Sequence, residues 1–295
     1  MIVKHAGRSH PGRRRRRNED SYVIAPPLFA VADGMGGARA GEIASRLAAA
    51  AVREEGGGSA DVVELIQEAN RRVFERARDD SSAAGMGTTM TVALVEADHV
   101  TIGHVGDSRA YRLRDNALEQ LTEDHSLVAE LVRSGKLSPE EAESHPQRSV
   151  ITRALGTEPD VDADTFTVEA HPGDVFLLCS DGLTTMVEDD HIVEVVNRHR
   201  GDLERAAKQL IADANRSGGE DNVTVVFFEF AEAGDTARMP AVDAEEDTLT
   251  EVDEVPVLET VEKRRLLRAA TVVPAVIVIA AIALLVVLYL MGVLY

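Results

Sequence analysis

A chain of 295 residues, 44% hydrophobic and 28% charged, holds one full-sized catalytic domain with appendages, and wholesale disorder is excluded. Its 31 Lys and Arg face 51 Asp and Glu, and a formal net charge of −20 makes phosphate backbones, hence nucleic acid, poor partners. The single cysteine, Cys179, excludes a disulfide framework and a Cys-rich zinc site, and the lack of tryptophan argues against a stacking surface for bases or sugars.

In chain order, an apolar run predicts a strand over residues 28–32 (LFAVA), followed by amphipathic helices over 41–53 and 60–78. Strands follow over 90–95, 100–105 and 110–113, then a helix over 127–134 and a strand over 175–179. Helices over 190–200 and 203–216 precede a last strand over 223–230. Strands and helices thus arrive in pairs, without regular βαβ alternation. That order favours antiparallel sheets covered by helices, an α+β class, over a doubly wound sheet.

Charge divides the chain further. Residues 1–231 form the globular body, and residues 232–262 carry eleven acidic side chains against a single basic one, with Pro240 and Pro256. Such a segment buries too little apolar area to offset its ordering entropy, and reads as a disordered acidic linker. A basic juxtamembrane segment, 263–268, contains Lys263, Arg264, Arg265 and Arg268, and no charged side chain follows through Tyr295. The uncharged stretch 269–295 exceeds the ~20 residues that a membrane span requires. It is expected to be a single transmembrane helix and short tail. The first seventeen residues hold no apolar stretch of a secretory signal. The positive-inside rule then expects a single-pass protein of the cell membrane, its body in the cytoplasm and the lipid bilayer as a partner.

Acidic residues recur at the ends of the predicted strands. Asp33 follows LFAVA, Asp107 follows VTIGHVG, Asp181 follows VFLLCS, Asp221 precedes NVTVVFFEF, and Asn18-Glu19-Asp20 precedes the first strand. Any one of these is an ordinary turn or capping aspartate. Together they are carboxylates that one sheet edge can gather, and converging carboxylates are relieved by hard divalent cations such as Mg²⁺ or Mn²⁺.

These residues belong to eight ordered strings: RRRNEDS (15–21), VADGMGG (31–37), GMGTTM (85–90), HVGDSRAY (104–111), LTEDHSLV (121–128), ITRALG (151–156), LLCSDGL (177–183) and GGEDNVTVV (218–226). In them the chain resembles the bacterial form of the PP2C (PPM) metal-dependent protein serine/threonine phosphatases, over nearly the whole body. The resemblance implies a four-layer α/β/β/α sandwich of two antiparallel sheets flanked by helices. By position it implies that Asp33 bridges two metal ions, that the Gly34 carbonyl binds one, and that Asp181 and Asp221 complete the pair. Glu19 and Asp20 would order its water shell, and Asp107, sharing Asp181, a third ion. Ser149, in QRSVITRAL, falls where some members add a ligand. Arg15 takes the place of the phosphate-binding arginine, and the other four arginines of 13–17 read as a solvated basic patch.

The implied reaction is hydrolysis of protein phosphoserine and phosphothreonine by direct attack of a metal-bridging water or hydroxide, reversing Ser/Thr kinase signalling in bacteria. Its partners would be phosphoproteins, among them a Ser/Thr protein kinase or its substrates. Cys179 lacks the arginine six residues later that a cysteine phosphatase needs; that position is Thr185. Animal members place a histidine after the DG pair where this chain has Met35, which leaves the general acid open, with His125 the nearest candidate. Residues 125–148 read as a flap beside the site. Two alternatives remain at this stage: a non-catalytic phosphoprotein-binding regulator, and a membrane adaptor acting through its acidic linker.

Overall fold

The computed structural model describes residues 2–36, 40–56 and 61–230. The acidic linker, basic segment and apolar span expected over 232–295 lie outside them. No helix among the described residues is long and apolar enough to cross a membrane.

The chain opens with strands β1 (Ile2–His10), β2 (Asp20–Ala25) and β3 (Leu28–Met35), then helices α1 (Ala40–Glu55) and α2 (Val62–Asp79). Strands β4 (Gly87–Thr88), β5 (Met90–Val95), β6 (His99–Val105), β7 (Arg109–Arg114) and β8 (Ala117–Gln120) follow. Two short helices, α3 (Leu127–Arg133) and α4 (Pro139–Glu143), lead to β9 (Asp164–Glu169) and β10 (Val175–Cys179). Helices α5 (Asp181–Thr184), α6 (Asp189–Arg198) and α7 (Leu203–Arg216) precede β11 (Val223–Phe230).

Two antiparallel sheets result, one ordered β1-β11-β10-β7-β8 and the other β2-β3-β5-β6-β9, with β4 paired to β3. The period of two in each central strand decides the layers. In β11, Val226, Phe228 and Phe230 enter the core between the sheets, while Val223, Val225 and Phe227 face the layer of α6 and α7. In β3, Phe29 and Val31 point inward, while Leu28, Ala30 and Ala32 pack under α1 and α2. Phe228 stacks on Phe29 of the opposite sheet at 4.4 Å and on Phe176 at 4.9 Å, joining the two sheets at their centre. The expected four-layer arrangement is therefore the one found.

Helix starts are set by side-chain caps: Asp61 accepts from the Val63 amide at 2.8 Å, and Asp202 from that of Arg205 at 3.1 Å. Strands β1, β2, β4, β8 and β9, absent from the sequence reading, are short or carry several polar residues. β9 buries only one face and β8 runs along a sheet edge, so neither shows as an apolar run.

Candidate active site

The register brings the acidic residues to one end of the sandwich. Asp20 lies opposite Asp33 across β2 and β3, while Cys179 pairs with both Arg109 and Val225. Asp181, Asp107 and Asp221 therefore leave neighbouring strands of the other sheet at a common edge. Both sheets contribute, and Glu19 and Arg15 arrive on the loop before β2.

Each acidic group is held by its own scaffold. The Asp33 amide donates to Thr89 Oγ1 at 2.9 Å, and its carbonyl accepts from Thr88 Oγ1 and the Thr89 amide, both at 2.8 Å. Asp20 Oδ2 accepts from Ser180 Oγ at 2.8 Å and Thr224 Oγ1 at 2.6 Å, which fixes the carboxylate's rotation. Gly34 donates to the Glu19 carbonyl at 3.1 Å, and a Cβ here would strike the Gly41 carbonyl where α1 begins. Only glycine lets strand and helix backbones meet this closely.

Asn222 ties the loop of Arg15 to β11. Its Oδ1 accepts from the Glu19 amide at 2.7 Å, and its Nδ2 donates to the carbonyls of Arg17 at 2.9 Å and Pro11 at 3.0 Å. Arg15 reaches Asp221 Oδ2 at 2.6 Å, and that hydrogen bond, opposed by partial burial, raises its basicity. Sequence reasoning gave no role to Asn222, Ser180, Thr224, Thr88 or Thr89. Their signal was present, since all five lie within or beside the quoted strings.

Burial and crowding push the carboxyls upward. Asp20 rises to about 7 and Asp107 to about 8, in each case chiefly by burial and then by the charge of Asp181 and other neighbouring aspartates. Asp181 rises to about 6 by burial and the charge of Asp221, while a hydrogen bond to Asp33 draws it back. Asp33 stands well above the ordinary carboxylate range, through burial and the charges of Asp20, Asp181, Asp107 and Asp221. Oδ1 of Asp20 and Oδ1 of Asp181 are buried without a hydrogen-bond partner. Such atoms are costly unless something polar meets them.

This environment fits hard divalent cations. The donors are carboxylate and carbonyl oxygens, and a cation relieves the repulsion that otherwise retains protons. No three Asp, Glu, His or Cys side chains among the described residues are already drawn around a single point.

The remaining candidates make no hydrogen bond to the aspartates of this cluster. Ser149 is exposed in a turn after α4 and has no hydrogen bond to the aspartates. His125 is buried, its Nδ1 accepting from the Gly106 amide at 3.0 Å and its Nε2 lying 3.1 Å from Asp164 Oδ2. Both nitrogens hold the neck of the flap, and burial lowers the imidazole pKa. Both ring nitrogens of His125 are thus engaged in hydrogen bonds that join the flap to the sheet ends. Cys179 is wholly buried on the helix-facing side of β10, its thiol pushed up to about 12 by burial, so no thiolate nucleophile is available.

The flap closes beside Asp107. Ser126 bridges Ile151, the Leu127 amide donates to the Val150 carbonyl, and Arg109 grips Asp124 through Nε at 2.9 Å and Nη2 at 2.8 Å. Beyond that neck α3 buries no residue.

Known proteins share this construction. A family model described as Protein phosphatase 2C matches residues 6–214. The serine/threonine phosphatase stp of Listeria welshimeri is 41% identical over 237 residues, 75% of this chain and 94% of that protein. The crystal structure of the Mycobacterium tuberculosis serine/threonine phosphatase PstP/Ppp superposes with a TM-score of 0.73 at 40% identity, covering 79% of this chain and all of that one. A catalytic domain of PstP in complex with two manganese ions gives 0.72 at 38% identity, covering 78% and 99%. The chain belongs to the protein phosphatase 2C family.

Proposed function

We propose that this chain is a metal-dependent protein phosphatase that hydrolyses phosphoserine and phosphothreonine on proteins, with Mn²⁺ or Mg²⁺ as cofactor. The observation that carries the reading is the gathering of Asp20, Asp33, Asp107, Asp181 and Asp221 at one sandwich end beside Arg15, with two buried carboxylate oxygens unpartnered. Asp33, Asp181, Asp221 and the Gly34 carbonyl would hold two ions, the number in the PstP complex. Glu19 and Asp20 would orient surrounding water, and Asp107 with Asp181 would hold a third ion. Ser149 is the outlying member of the set.

Bound divalent ions supply Lewis-acid charge, which makes water a nucleophile near neutral pH and offsets charge on the transferred phosphoryl group. Arg15 spends one nitrogen on Asp221 and keeps its other N–H groups for phosphate oxygens. Ser180 and Thr224 keep Asp20 an oriented acceptor, and the Thr88-Thr89 clamp fixes Asp33. Hydrolysis of a phosphothreonine peptide should need Mn²⁺ or Mg²⁺ and stop with EDTA. Undiminished hydrolysis in EDTA overturns the reading.

The same reading extends to the whole chain. Residues 1–231 are the phosphatase body, 232–262 a tether, 263–268 a basic juxtamembrane segment, and 269–295 a span holding the body on the cytoplasmic side of the cell membrane. The charge pattern supports this, together with the location of protein kinases and ATP, and a Ser/Thr kinase or its substrates are the partners. Full-length protein should sediment with membranes and resist carbonate extraction. Recovery wholly in the soluble fraction overturns the anchoring and leaves the catalytic reading intact.

A further inference from the structure

The five consecutive arginines 13–17 are an island of positive charge on a chain of net charge −20. Only Arg15 is used by the site described above. The structure does not leave the others on a loose arm. The amides of Arg13 and Arg14 donate to the Gly219 carbonyl at 2.8 and 3.1 Å, and Asn222 holds the carbonyls of Pro11 and Arg17. The Arg13 stem lies over Gly219, where a Cβ would come 2.8 Å from its Cγ. The backbone is therefore clamped from 11 to 19 against the same turn that carries Asp221.

The charges on this clamped loop differ in use. Arg14 pairs with Glu220 at 3.0 Å, and Arg17 reaches Glu42 at 3.4 Å. Arg13 and Arg16 are exposed, and neither has a carboxylate within ion-pairing distance among the described residues. Arg16 adjoins in sequence the arginine that would grip the phosphate, and Arg13 lies two residues before it. An extended peptide advances ~3.3 Å per residue, so groups beside a bound phosphoresidue lie within reach of side chains that adjoin the phosphate-binding arginine.

We propose that Arg13 and Arg16 form a specificity surface that selects phosphopeptides carrying Asp or Glu beside the phosphorylated residue. The proposal rests on the phosphatase reading and names its preferred substrate chemistry. Acidic flanks would be repelled by much of this strongly acidic protein and attracted at this loop, which favours encounter in the productive orientation. A neutral or basic flank gains nothing there.

The test uses full-length protein with Mn²⁺ and three phosphothreonine peptides differing only in acidic, neutral or basic flanks, with p-nitrophenyl phosphate as a flankless substrate. Wild type should favour the acidic over the neutral peptide by about three- to ten-fold in kcat/KM, expressed in KM and weakening with salt. The double variant Arg13→Ala/Arg16→Ala should lose that preference while hydrolysing p-nitrophenyl phosphate as wild type does. The charge-reversed variant Arg13→Glu/Arg16→Glu should favour the basic peptide. A wild type without acidic preference, or a preference retained in both variants, overturns the proposal. Failure of wild type to hydrolyse p-nitrophenyl phosphate would instead sink the phosphatase reading.

Discussion

Arg15 donates through Nη2 to Oδ2 of Asp221 at 2.6 Å, joining the loop before β2 to the turn before β11. The two residues stand 206 positions apart in the chain. The contact sets a cation at the edge of a carboxylate cluster and holds it there.

Replacing Arg15 with alanine should lower kcat/KM for phosphothreonine peptides by about 10- to 100-fold, through loss of a charged, forked phosphate donor. Arg15→Lys should recover only part of this, since a point charge cannot reproduce the fork. Steady-state kinetics of the two variants check this, and equal activity of Arg15→Ala and wild type contradicts it.

Asn222 makes three hydrogen bonds, to the Glu19 amide and the Arg17 and Pro11 carbonyls, while 3% exposed. Asn222→Ala leaves those backbone groups without their partner and should destabilise the body by roughly 2–3 kcal/mol. Urea denaturation measures the change, and an unchanged midpoint would remove Asn222 from its clamping role.

Much of this was legible in the sequence. The strands that became β3, β5, β10 and β11 are largely apolar on both faces because each lies between a helix layer and the opposite sheet. The acidic residues at their ends were visible for the same reason. The half-buried strands were hidden: β9 reads DTFTVE, and only pairing with β6 shows it to be a strand. Asn222 stood in a quoted string, yet its role depends on Pro11 and Arg17, more than 200 residues earlier. Arg13, Arg14, Arg16 and Arg17 read as a solvated patch because nothing local shows that Gly219 and Asn222 fix the backbone of this loop.

Metal removal should expose the carboxylate repulsion. Asp181, Asp20 and Asp107, pushed up to about 6, 7 and 8, hold protons more tightly when folded than an unfolded aspartate, which titrates near ~4. The metal-free chain therefore binds more protons folded than unfolded across this window, and its stability falls as pH rises from about 5 to about 8. Saturating Mn²⁺ should flatten the slope, because cations replace the protons. Melting temperatures in EDTA and in Mn²⁺ across that range decide it, and a metal-free stability that rises with pH contradicts the picture.

Asp174 gives the opposite slope. Although buried, it is held below the usual carboxylate range by Arg114, whose Nη2 lies 2.6 Å away, and by the His171 amide at 2.8 Å. Its stabilisation is complete above the unfolded pKa of about 3.9 and is lost as pH falls through the lower folded value. Asp174→Asn should cost roughly 2 kcal/mol at neutral pH, and the deficit should shrink in acid. Paired denaturation curves at neutral and acid pH measure both, and a deficit that grows on acidification contradicts the assignment.

The most direct measurement is phosphate release from a phosphothreonine peptide, titrated with Mn²⁺, by wild type and Asp33→Asn. Wild type should turn over only as Mn²⁺ is added. Asp33→Asn should lose at least ~10²-fold in kcat at saturating metal, because a ligand of the nucleophile-generating site is gone. Equal turnover by the two proteins, or turnover by wild type independent of Mn²⁺ after EDTA treatment, would contradict the account.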